Sequence, residues 1–117
     1  MSGRKPLRGE IWFVKLPTDP HDKGPRPVVI VSSDQRNLHP RADTVMVVPV
    51  STSITRDIPT HVYLTAGQTG LENSVLKAED VTVVRKSSLT EPRTRVRNLT
   101  SYQVCELAAK IRLAMDC

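Results

Sequence analysis

At 117 residues the chain has the size of one domain, and two independent hydrophobic cores are excluded. Seventeen Lys and Arg against twelve Asp and Glu leave a net charge of +5, which favours polyanions such as nucleic acid or acidic protein segments. The longest apolar runs, residues 28–31 and 45–50, fall far short of the roughly 20 residues that span a bilayer, and the charged start has no apolar stretch behind it; neither a membrane span nor a secretory leader is expected, and the setting reads as cytoplasmic.

Residues 1–8 read as a mobile basic arm ahead of one domain over 9–117. From Gly9 the run Glu10-Ile11-Trp12-Phe13-Val14-Lys15-Leu16 is rich in β-branched and aromatic residues and predicts a first strand buried on both faces, stopped by Pro17. Residues 17–25 hold three prolines, a glycine and several charges, which is loop chemistry. Arg26 stands between Pro25 and Pro27, and a residue before proline is pushed out of the α region, so an extended backbone leads into a second strand through Val28-Val29-Ile30-Val31.

Asp43 to Val50 predicts a third strand through Val45-Met46-Val47-Val48, ending in Pro49, with the hydroxyl-rich Ser51-Thr52-Ser53 after it. Shorter strands follow at 60–64, 74–77 and 81–85, and close spacing of this kind favours a partly open barrel or a strongly bent sheet. The period then changes. Val104, Leu107, Ala108, Ile111 and Met115 recur at three- and four-residue steps, and Thr100 with Gln103 makes a capping box, so a C-terminal helix is expected to lie across the sheet.

Cys105 and Cys117 have no metal or disulfide spacing, and no HxxxH pair or His/Cys cluster occurs, so no metal site or cofactor is expected. Trp12 and Phe13 are assigned to the core rather than to base stacking. Cutting RNA without a metal requires a group that takes the 2′-hydroxyl proton, a group that holds the charge on phosphorus and a group that protonates the departing 5′-oxygen. Arg26 suits the middle task, since its planar charged fork matches phosphate oxygens and its flanking prolines stiffen the backbone. Ser51 and Thr52 offer hydroxyls to a phosphate, and His21 beside Asp22 offers a proton-transfer pair. Lys77 and Glu79 are expected to alternate along one strand face, one as a phosphate contact and the other as a proton acceptor; Lys23, Arg56 and Arg85 complete the cations assigned to RNA.

Residues 8–16 (RGEIWFVKL), then Arg26-Pro27-Val28-Val29-Ile30-Val31-Ser32, then Val48-Pro49-Val50-Ser51-Thr52 resemble, in order and spacing, the MazF/PemK (Kid) toxins of bacterial toxin–antitoxin systems. The likeness continues through Ile58-Pro59-Thr60-His61-Val62, Gly70-Leu71, residues 74–77, residues 81–89 and the terminal helix. The resemblance implies a mainly β, SH3-like small barrel with a C-terminal helix, a two-fold homodimer, and metal-independent, sequence-selective cleavage of single-stranded RNA to 2′,3′-cyclic phosphate and 5′-hydroxyl ends. It also implies a cognate antitoxin with an acidic segment that blocks the groove.

Carried over by position, the family's RP arginine falls on Arg26, its post-strand threonine on Ser51 beside Thr52, and its arginine–aspartate pair on Lys77 and Glu79. The family's glycine-histidine-glutamate loop matches Pro20-His21-Asp22 only approximately. With arginine so rarely deprotonated, Glu79, Asp22 and His21 are the expected acid–base groups. Two alternatives stand beside this reading: a CcdB-type gyrase poison acting through protein contacts, and a catalytically inactive paralogue that binds RNA or antitoxin.

Overall fold

The computed structural model describes residues 4–16, 24–91 and 95–116. Six strands carry the fold: β1 (Ile11–Val14), β2 (Arg26–Ile30), β3 (Thr44–Ser51), β4 (His61–Leu64), β5 (Ser74–Lys77) and β6 (Thr82–Arg85). The short helices α1 (Asp34–Asn37) and α2 (Ala66–Thr69) and the long α3 (Ser101–Ala114) complete it, with 3-10 turns at Ala78–Asp80 and Lys86–Ser88. All pairings are antiparallel, in the order β1-β2-β3-β5-β4, with β6 also on β3.

β3 organises the sheet. Its first half pairs with β6 (Thr44↔Arg85 to Val47↔Thr82) and its last residues pair with β5 (Val50↔Leu76, Ser51↔Val75). Between Val47↔Thr82 and Val50↔Leu76 two residues of β3 (48 and 49) therefore face five of the partner chain (77–81), and the excess is taken up by the 3-10 turn Ala78–Asp80. Pro49 lies at this interruption. Ile30 donates its N–H to the Glu10 carbonyl and accepts from Gly9 N–H, both on the β1 side, so by alternation the imide nitrogen of Pro49, opposite Val28, faces the broken edge where no ladder bond is needed. The proline expected to end the strand thus sits inside it, and Ser51 is the last strand residue rather than part of a following loop.

Both faces of the sheet are buried. Ile11, Val29, Val48, Val50, Val62, Leu64 and Leu76 pack under α3 with Leu99, Val104 and Leu107. Trp12, Val14, Val28, Ile30, Val45 and Val47 form the second cluster, closed by Leu16, Val84 and Leu89. This explains why β1 lacks a polar alternation. The expected capping box at Thr100 and Gln103 is present on α3, and Val104 and Leu107 are buried. Ala108 is exposed because it falls at the edge of the face that Val104, Leu107 and Ile111 turn to the core, and Met115 is 66% exposed because it lies beyond Ile111, the last partly buried contact.

The RGEIW stretch is structural. The Glu10 carboxylate, buried, accepts from Leu7 N–H (2.7 Å) and from Trp12 Nε1–H (3.0 Å) and pairs with Arg4, whose guanidinium lies 5.6 Å from the Trp12 ring. Arg8 N–H donates to Asp34 Oδ1 (2.6 Å). Residues 4–8 of the expected mobile arm are thereby tied to the body. No helix among the described residues is long and apolar enough to cross a membrane.

Candidate active site

The β2–β3 pairing stops at Val28↔Pro49. Beyond it β2 stays with β1 as far as Val14↔Arg26, while β3 turns to β5 through Ser51↔Val75. The two strands splay, and Arg26 and Ser51 each stand two residues past the last pair, on the same side of their strands as Val28 and Pro49. The opening is a cleft of ≈ 820 Å³. One wall is Gly24, Pro25, Arg26 and Pro27; the opposite wall is Val50, Ser51, Thr52 and Ser53, with Gly70, Leu71, Glu72 and Ser74 closing the end.

Local sequence accounts for the rigidity of these walls. Arg26 lies half-buried between prolines at the start of a strand. Ser51 Oγ accepts the Ser53 N–H at 3.1 Å, which fixes the turn and leaves the Ser51 O–H to donate to an oxygen in the cleft. The far end is held by a capping box between Thr65 and Gln68, by Ala66 N–H donating to Asn73 Oδ1 (2.8 Å), and by Gly70, whose φ of 79° and contact with the Arg95 carbonyl leave no room for a Cβ. A guanidinium, four hydroxyls and one carboxylate thus line one concavity, a set able to bind a phosphodiester and move a proton beside it.

Arg26, Ser51 and Thr52 are brought together; the other expected residues are not all with them. Glu79 is not on a strand face with Lys77, since β5 ends at Lys77 and Glu79 belongs to the 3-10 turn. Its carboxylate accepts from Thr60 Oγ1–H (2.7 Å) and from His61 Nε2–H (3.0 Å), and it does not line the cleft. Partial burial pushes Glu79 upward, but the bonds from Thr60, its own backbone and His61, with the His61 charge, outweigh it and hold the carboxyl below its ordinary value. Lys77 is half-buried opposite His61. Arg56 lies over the Tyr63 ring at 5.5 Å, and Tyr63 Oη–H donates to the Thr55 carbonyl (2.7 Å). Arg85 lines a separate cavity at the other end of β3. His21, Asp22 and Lys23 lie outside the described residues.

Glu72, Ser53 and Ser74 line the cleft without having been anticipated. Ser74 opens a strand that was expected, but only the Ser51↔Val75 register puts it there. His61 was likewise unexpected: it is buried, its Nδ1 has no hydrogen-bond partner among the described residues, and its carbonyl accepts from Lys110 Nζ (2.6 Å). No local signal marks either pairing, since His61 and Glu79 are 18 residues apart.

Residues 7–115 match the family described as PemK-like, MazF-like toxin of type II toxin-antitoxin system. The chain is 32% identical, over 93% of its length and 95% of the relative's, to the endoribonuclease MazF9 of Mycobacterium tuberculosis. Among solved structures it is similar to the Mycobacterium tuberculosis toxin MazF-mt6 (TM-score 0.70, 25% identity, 91% and 95% of the two chains). An endoribonuclease from a mycobacterial species, solved with its cognate antitoxin, shares the fold at a TM-score of 0.73 and 24% identity, over 95% of each chain. With a bent antiparallel sheet, a C-terminal helix and a family match over nearly its whole length, the chain belongs to the PemK-like, MazF-like toxins of type II toxin–antitoxin systems.

Proposed function

We propose that this toxin is a sequence-selective endoribonuclease that cleaves single-stranded RNA in the cytoplasm without a metal ion, and that the splayed β2–β3 cleft is its active site. The observation that carries the reading is the opposition of Arg26 and Ser51 across that cleft. The 2′-oxygen of the ribose attacks the adjacent phosphorus, its proton passes to a base, the P–O5′ bond breaks, and the departing oxygen takes up a proton. The products are a 2′,3′-cyclic phosphate and a 5′-hydroxyl.

Arg26 binds the non-bridging oxygens and stabilises the charge that develops on them, the kind of donor whose loss commonly costs about 10²–10³ in rate. Ser51 and Thr52 donate to the same phosphate and fix its orientation. Proton transfer falls to Glu72 in the cleft and to His21 and Asp22, which precede the cleft residue Gly24 by three and two positions. Glu79, with both oxygens engaged and its carboxyl held in the ionised form, is suited to bracing the turn rather than to donating a proton. Lys23, Arg56 and Lys77 are assigned to other phosphates of the RNA. The functional unit is a homodimer, and a cognate antitoxin with an acidic segment competes for the groove.

The test is to incubate the protein with a long RNA in EDTA and to map and type the new ends. Discrete cuts bearing 5′-hydroxyls and cyclic phosphates are expected. Chelator-sensitive cutting would remove the mechanism, binding without cutting would identify an inactive paralogue, and gyrase inhibition without RNA cleavage would favour the CcdB-type activity.

A further inference from the structure

At the far end of β3 from the cleft a second cavity, of ≈ 760 Å³, opens between the start of β3 and the end of β6; Lys5, His39, Asp43, Arg85, Lys86 and Ser87 are among the residues that line it. Three basic side chains there face one carboxylate. The site is braced: Lys86 Nζ donates to the His39 carbonyl (3.3 Å), and the Lys86 backbone N–H donates to the Asp43 carbonyl (2.8 Å). His39 Nδ1 accepts the Arg41 N–H at 3.1 Å, which leaves Nε2 as the ring's N–H donor. Lys5 is kept at the rim because the chain just after it is pinned by Glu10 and Asp34.

We propose that this cavity is a second RNA subsite, which takes a backbone phosphate and its neighbouring ribose from the strand whose scissile phosphate sits beside Arg26. The inference rests on the nuclease reading above. Asp43 decides the ligand class. An acidic peptide offers mainly acceptors and would be repelled by a carboxylate in the pocket, whereas a sugar-phosphate presents an anion for Lys5, Arg85 and Lys86 and a 2′-hydroxyl donor for Asp43. The placement fits a single strand. Thr44 and Ser51 are seven residues apart on β3, about 23 Å at about 3.3 Å per residue, so only an RNA that extends several nucleotides past the cut reaches both sites. Occupying both raises affinity for long RNA through effective concentration, with no added contact at the reacting phosphate.

The experiment compares a short oligonucleotide centred on a mapped cut site with one extended on both sides, using wild-type protein, Lys5→Ala/Lys86→Ala and Lys86→Arg. Wild type is expected to favour the longer RNA in KM by about tenfold, and the double variant to lose that advantage; its plot of log Kd against log salt should flatten by about one unit. Lys86→Arg should keep both properties, as charge at that position suffices. Unchanged length preference in the double variant would overturn the subsite, as would equal loss in Lys86→Arg. So would a defect seen only with an acidic peptide, which would assign the cavity to a protein partner. A wild-type protein that cuts neither RNA would overturn the nuclease reading itself, whereas cutting with unaltered length preference would remove the subsite alone.

Discussion

Arg26 and Ser51 stand across from one another two residues beyond the last β2–β3 pair, Val28↔Pro49, so the end of a ladder becomes the mouth of a cleft. The side chains there owe their position to backbone register and to the turn bond from Ser53 N–H to Ser51 Oγ. Ser51→Ala removes the hydroxyl proposed to donate to the phosphate and the acceptor of that turn bond, whereas Ser51→Thr keeps a hydroxyl. Single-turnover cleavage is expected to fall by about tenfold or more in the alanine variant, the range of one lost hydrogen bond to a charged group, and by less than half that factor in the threonine variant.

Glu79 braces β4 against the 3-10 turn through Thr60 and His61. Its folded-state pKa is depressed below the ordinary 4.5, so its contribution to stability is fully present above the unfolded value and is lost as pH falls through the lower folded one. Glu79→Gln should therefore lower Tm at neutral pH, by no more than about 4 °C for a side chain this exposed. The gap from wild type should close as the solution is acidified below the ordinary carboxylate range. Thermal melts across that pH range check both the sign and the window; a gap that widens in acid contradicts the assignment.

Gly70 caps α2 at φ 79°, and a Cβ there would lie 2.0 Å from the Arg95 carbonyl oxygen. Both the conformation and the backbone contact oppose any side chain. Gly70→Ala should destabilise the fold by about 2 kcal/mol or more, measured by urea denaturation. Gly67→Ala, where a Cβ would meet Thr65 Oγ1 at an ordinary 3.9 Å, serves as the contrasting variant and should shift stability by less than about 1 kcal/mol.

On α3 the two ends differ in consequence. Leu107 is fully buried against the sheet and Met115 is 66% exposed. Leu107→Ala should cost about 2–5 kcal/mol, and Met115→Ala less than about 0.5 kcal/mol. Equal effects in denaturant titrations would contradict the packing described for this helix.

Much of the fold is legible in the residues themselves. Valine-rich runs mark β2 and β3, the unbroken apolar stretch around Trp12 marks a strand buried on both faces, Ser74–Lys77 is read with its full bounds, and Thr100 with Gln103 marks the helix start. The four-residue helices α1 and α2 are too short to show a period. Pro49 misleads, because a proline is tolerated mid-strand only where the partner edge is broken, and that break is a tertiary fact. Ala108 and Met115 follow the helical period of Val104 and Leu107 yet are exposed, one at the edge of the buried face and the other beyond the last core contact, which periodicity cannot register. In the candidate site, Arg26, Ser51 and Thr52 are singled out by their place in the family's RP and post-strand hydroxyl motifs more than by their own neighbours. Glu72 and the His61–Glu79 pair depend on which strands come together, and nothing in their neighbours signals it.

Arg26 is the group proposed to stabilise charge on the scissile phosphate. That role is tested most directly by the single-turnover rate of Arg26→Ala on an RNA with one mapped cut site, in EDTA, with Kd for that RNA and Tm measured alongside. The expected result is a rate lower by about 10²–10³, a Kd weakened far less than the rate, and a near-native Tm. A cleavage rate within about threefold of wild type, in a variant that remains folded and saturated with RNA, would contradict it.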